Sequence, residues 1–155
     1  MKKAIWIIII AGLIIIQFFR PTKNLSHVDA QAAINNHYQV NSDVQHILKT
    51  ACYDCHSNNT VYPWYYKTQP FAWFMANHII KGKKHLNFDE FYNYPLKRQD
   101  HKLHEIIEML QKDKMPLKSY RLIHKDARLT EGQKQKIIDW ARDLQEQFTI
   151  SKTTS

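Results

Sequence analysis

Five consecutive residues, Cys52-Tyr53-Asp54-Cys55-His56, constrain this chain more than anything else in it, and they use both of its cysteines. Cys-x-x-Cys-His is the spacing of c-type haem attachment. Two thiols three positions apart share one face of a helical turn, where each can form a thioether with a haem vinyl group. The histidine directly after the second cysteine is then held beneath the iron as its proximal ligand. A bare Cys-x-x-Cys would also serve zinc or a redox dithiol. Zinc wants four ligands, usually two such pairs, and neither a further cysteine nor a histidine pair at finger spacing is available downstream. A thioredoxin-like dithiol would open a helix in a βαβ setting, and no strand pattern surrounds this one. A disulfide between the two would close a small strained loop. One covalent haem c is the expected cofactor.

The chain is long enough for one domain plus a tail. Only three of its 155 residues are glycine, which disfavours sandwiches and barrels with many tight turns. The formal charge is +8, from 22 basic and 14 acidic residues. Four of the basic residues, Lys2, Lys3, Arg20 and Lys23, flank an N-terminal apolar run and do not belong to the domain. What remains is mildly basic, and charge alone does not make it a nucleic-acid binder.

That run extends from Ala4 to Phe19. As a helix it would reach about 24 Å, a little short of a bilayer core of about 30 Å. It ends in Phe-Phe-Arg-Pro, with no small-x-small cleavage site close behind, which favours an uncleaved single-pass anchor over a cleaved signal peptide. The haem motif and a secretory-type leader imply the same compartment. Residues 1–23 are thus expected to anchor the chain in the cell membrane, with the C-terminal domain on the periplasmic or extracytoplasmic side.

The exported part reads as all-α. Residues 24–41 are polar and read as a linker, with one short helix near 29–36. The haem domain is expected over 42–149, with a polar tail at 150–155. Ser42 or Asp43 can cap a helix whose stripe runs Val44, Ile47, Leu48, Ala51, Cys52 and Cys55. An aromatic loop with Pro63 follows. A second helix spans Phe71 to Lys81, with Trp73, Phe74, Asn77 and Ile80 on one face and Gly82 as its stop. Asn87-Phe88-Asp89-Glu90 has a capping-box shape for a short third helix. A fourth helix runs from Asp100 to Gln111 with Leu103, Ile106, Ile107 and Leu110 inward. Residues 112–125 read as irregular, and a last helix runs from Thr130 to about Phe148.

A haem held by one histidine takes a second axial ligand in an electron carrier, or leaves that position open in a sensor or enzyme. Met75 and Met109 fall inside helices, where methionine is more often packing. Met115 follows a helix and precedes Pro116, which fixes the backbone, so it is the preferred distal ligand. His124 is the alternative. His78, beside the inward face of the second helix, could also reach iron. His27, His37, His46 and His85 carry no motif. Tyr62, Trp64 and Trp73 are expected to wall the haem pocket.

With Met115-Pro116 and a C-terminal helix opened by Leu129-Thr130 and containing Trp140, the chain resembles class I cytochrome c. More closely, residues 14–147 resemble the family of haem-binding domain proteins. The matching residues are Gln17-Phe18-Phe19-Arg20-Pro21, the haem motif with Ser57, Tyr62-Pro63-Trp64-Tyr65, Leu86-Asn87-Phe88, Met115-Pro116, Tyr120 and His124. The resemblance implies a cytochrome c-like helical domain around one haem. The expected function is single-electron transfer between extracytoplasmic redox partner proteins, with no bond chemistry. A haem-based sensor or small haem enzyme with an open distal site is the alternative.

Overall fold

The structure, a computed structural model, describes residues 1–26 and 29–153. His27 and the end of the expected polar tail lie outside the described residues.

Helix α1 (Lys2–Ile15) is apolar around its whole circumference and buries none of its residues. It closes at Ile15, passes into a 3-10 turn over Ile16–Phe18, and leaves Phe19 extended. Fourteen residues of α-helix reach only about 21 Å. Among the described residues no helix is long and apolar enough to cross a membrane. The expected single-pass anchor, and the membrane localisation built on it, is therefore not supported. The end of the run is tied into the domain instead. Gln17 Oε1 accepts from the Gln69 backbone N–H at 3.0 Å, and the Phe19 carbonyl accepts from Gln69 Nε2 and Trp73 Nε1 at 2.7 and 3.0 Å.

The rest is all-helical, and the one sheet-like pairing among the described residues is a bridge between Leu25 and Asn59. The short helix α2 (Ile34–His37) precedes α3 (Ser42–Ala51). The cap of α3 is Asn41, whose side chain accepts from the Val44 N–H, one residue ahead of the expected Ser42 or Asp43. Cys52 interrupts the helix at φ −122°, and α4 (Tyr53–His56) makes a turn of its own. The expected stripe through Cys55 is thus two elements.

Helix α5 (Phe71–His85) runs through Gly82 rather than stopping there. A 3-10 segment over Phe88–Asn93 leads to α6 (Leu96–Gln111). Within the segment expected to be irregular lies α7 (Lys118–Ile123), and α8 (Glu131–Thr153) closes the fold. Thr130 and Gln133 cap α8 reciprocally: each backbone N–H donates to the other's side-chain oxygen, at 2.9 and 3.2 Å.

Two apolar clusters result. The larger joins α3, α6 and α8 through Val44, Leu48, Leu103, Ile107, Ile137 and Leu144, with Phe88 and Phe91 beneath. Trp140 belongs to it and donates from Nε1 to the Gln39 carbonyl at 3.0 Å. The smaller gathers Tyr66, Ala72, Met75 and Ile79. Cys52 packs against the larger cluster and Cys55 against the smaller, so the motif sits on the seam between them.

Candidate haem site

A cavity of about 490 Å³ opens at that seam, within the roughly 300–1,000 Å³ of small-molecule sites. Its wall is mostly carbon. Cys52, Cys55 and His56 line it from the α3–α4 corner, and Met115, Pro116, Leu117 and Tyr120 from the loop before α7 and α7 itself.

Two helices supply the remaining walls with matching periodicity. From α5 come His78, Lys81, Gly82 and His85; from α6 come Lys102, Glu105, Ile106 and Met109. Both sets have offsets of three, four and seven, one face of a helix. On α5 this is not the expected face. Ala72, Met75 and Ile79 are buried, whereas Phe74 and Ile80 are 55 and 67 % exposed. Hydrophobicity misdirected the expectation because the cavity-facing stripe is polar.

Gly82 permits a close approach between α5 and the motif. A Cβ built on it would lie 2.5 Å from the Cys55 carbonyl oxygen, so α5 lies backbone to backbone against the motif. That contact sets the next residue. His56 Nδ1 is 3.0 Å from the Leu86 carbonyl oxygen just past the end of α5. A carbonyl only accepts, so the ring proton sits on Nδ1 and the Nε2 lone pair is free for a metal. Burial lowers the His56 pKa and favours the neutral ring. Burial also pushes the Cys52 thiol up to about 12, helped by Cys55, and the Cys55 thiol up to about 11, helped by Asp54. Both cysteines are free and held as neutral thiols, unlike the depressed thiols of redox dithiols or zinc sites.

Asp54 faces the cavity with its charge satisfied. It accepts from the Val61 N–H at 3.0 Å and the Tyr120 hydroxyl at 2.6 Å. Burial first, then this carboxylate, raises the Tyr120 pKa. Tyr120 stacks on His124 with ring centroids 4.0 Å apart, and His124 Nε2 hydrogen-bonds the Tyr65 hydroxyl at 2.7 Å. His124 is therefore placed behind Tyr120, outside the residues that line the cavity.

Met115 is held by the turn that ends α6. Asp113 takes the left-handed conformation, φ 50°, which Asp tolerates better than most residues. Its carboxylate accepts from Arg121 at 3.0 and 3.1 Å and from Lys134 at 3.0 Å. Those bonds hold its carboxyl down at about 2. The Lys114 and Met115 N–H groups return to the Met109 carbonyl. Both methionines thus face the cavity, where Met109 was expected to be packing.

Tyr62, Trp64 and Trp73, expected at the pocket, are not among its lining residues. Trp64 is 78 % exposed. Tyr62 accepts from the Asn24 N–H, and Trp73 is tied to Phe19. The sequence reading gave His85, Lys102 and Glu105 no place at the site, and named Tyr120 only among the family's matching residues. The repeated three-four-seven spacing on two neighbouring helices was the signal that could have found the first three.

Two thiols, a neutral imidazole with its distal nitrogen free, thioether sulfurs and a carbon-lined cavity form a donor set that fits a haem. No curated protein and no solved structure matches the chain. The model of the haem-binding domain matches residues 11–143, so the chain belongs to the haem-binding domain family and is a haem-binding protein.

Proposed function

We propose that this protein is a c-type monohaem cytochrome that passes single electrons between redox partner proteins. Cys52 and Cys55 would carry the haem as thioethers, His56 would be the proximal ligand and Met115 the distal one. What supports the reading is that Met115, 59 residues past His56 in the sequence, lines one carbon-walled cavity with the three side chains of the motif.

When bound, haem supplies a one-electron iron couple, and a Met/His ligand pair raises its potential. The chain's own part is positioning and exclusion. The Leu86 carbonyl fixes the His56 tautomer and ring direction. Ile106, Met109 and Leu117 supply apolar wall that would exclude water from a bound haem. The Asp113 clamp steadies the loop that bears Met115. No nucleophile–base pair is needed, because no bond is made or broken on a substrate.

The test is an absorption spectrum of matured protein, oxidised, reduced and with carbon monoxide. A carrier is six-coordinate and low-spin in both redox states and resists carbon monoxide. Prompt carbon monoxide binding by the wild type would instead favour a sensor or small haem enzyme with an open distal site.

A further inference from the structure

Lys102 is the unusual charged residue of the cavity. It is only 9 % exposed, lies on the cavity-facing stripe of α6, and has Glu105, one turn on, as its ion-pair partner. Lysine is almost never this buried unless paired, and an ammonium has three donors to satisfy. Glu105 is less committed to the pair than Lys102 is. Its side chain is 38 % exposed, and its other oxygen already has His101 Nε2 at 3.2 Å. Glu105 therefore keeps a partner if Lys102 turns toward the cavity. The polar neighbour at the previous turn cannot take this role. Gln99 is consumed by the Tyr38 hydroxyl and the Tyr94 carbonyl.

The distribution of charge around the cavity gives a direction. Asp54, the acidic group within the motif, is occupied by hydrogen bonds from the Val61 N–H and the Tyr120 hydroxyl. The basic groups on the wall come from α5 and α6, namely His78, Lys81, His85 and Lys102, with Glu105 the acid beside Lys102. His78 is taken up by the Phe74 carbonyl of its own helix, 2.7 Å from its Nδ1. Lys81 and His85 are exposed at the rim, where water and salt screen them. Lys102 sits where screening is weak and a charge pair is several-fold stronger than in water. A haem carries two carboxylates, and tethering its vinyl edge to the cysteines leaves those carboxylates to find cations elsewhere on the wall.

Resting on the haem c reading above, the geometry points to Lys102 as the ionic anchor for a haem propionate. The ammonium donates to the propionate from inside the cavity while Glu105 and His101 form the outer layer of the same charge network. Lys102 is a cofactor-binding residue in this account, not a structural lysine.

Resonance Raman spectra and potentiometry of the holoprotein test this in three variants. Lys102→Met and Lys102→Gln remove the charge, and the methionine keeps the volume of a buried chain. Lys102→Arg restores the charge. All should keep haem after denaturation. In the two neutral variants the propionate bending modes should shift from their hydrogen-bonded position. The reduction potential should fall, because losing a nearby cation favours the ferric state. Lys102→Arg should recover the wild-type pattern. Unmoved propionate modes in a haem-bearing Lys102→Met or Lys102→Gln protein would overturn the assignment and leave Lys102 as a partner of Glu105 alone. A wild type that retains no haem after denaturation would overturn the haem c reading and this assignment together.

Discussion

His56 donates from Nδ1 to the carbonyl oxygen of Leu86 at 3.0 Å, and the bond exists because Gly82, four residues before Leu86, lets α5 lie directly on Cys55. Gly82→Ala should therefore act on the histidine at a distance. The added Cβ would meet backbone 2.5 Å away, which no side-chain rotation relieves. Overpacking of this kind costs about 1–3 kcal/mol. Denaturant titration should show that loss, and the spectrum should report weakened proximal ligation. Wild-type stability and spectrum in Gly82→Ala would remove α5 from the account.

The distal ligand separates by substitution. Met115→Ala should erase the weak long-wavelength charge-transfer band of methionine–ferric ligation, lower the reduction potential and admit carbon monoxide. Met109→Ala and Met75→Ala should cost packing, about 2–5 kcal/mol where the side chain is buried, and leave the band in place. Loss of the band in Met109→Ala alone would move the ligand six residues back, onto α6. Loss of the low-spin spectrum in His124→Ala alone would make the pair bis-histidine.

Asp113 offers a subtler handle. Asp113→Asn keeps a residue that tolerates φ 50° but removes the charge that holds Arg121 and Lys134. Its expected phenotype is a normal resting spectrum with faster carbon monoxide binding, because the Met115 loop opens more often. Stopped-flow mixing of the reduced protein reads this directly, and an unchanged rate would show that the clamp does not hold the loop.

Tyr120→Phe tests the polar edge. It deprives Asp54 of a hydrogen bond of 2.6 Å, and bonds to charged groups contribute about 1.5–3 kcal/mol. The sign of the pH effect follows from the raised Tyr120 pKa. Its contribution is complete below the ordinary tyrosine value of about 10 and is lost as pH rises through the higher folded value. The stability gap between wild type and Tyr120→Phe should thus be constant near neutrality and narrow above about pH 10. A gap that widens there would contradict the assignment.

The motif and the long amphipathic helices α6 and α8 were legible because their chemistry is local. Thr130 and Gln133 announced the start of α8, and Leu103, Ile107 and Leu110 its packing partner. The walls of the cavity were not legible in the same way. In most proteins the apolar face of a helix marks the core, and Trp73, Phe74 and Ile80 were read so. The face that α5 buries is instead Ala72, Met75 and Ile79, while His78, Lys81 and His85 line a space suited to an apolar cofactor. Gly82 read as a helix stop because a glycine after a periodic stretch usually is one; only the three-dimensional contact with Cys55 shows its other use. Helices α4 and α7 are too short to display a period. The apolar run at the N-terminus was over-read, since the α-helix ends at Ile15 and Gln17 turns back to Gln69.

The most direct test of the account is whether haem stays on the chain after the fold is destroyed. Protein matured in a host competent for c-type haem attachment should be denatured, separated by electrophoresis and weighed intact. The account predicts one haem per chain, surviving denaturation and absent from Cys52→Ala/Cys55→Ala. A folded wild type of unmodified mass, with both thiols titratable once unfolded, would contradict it.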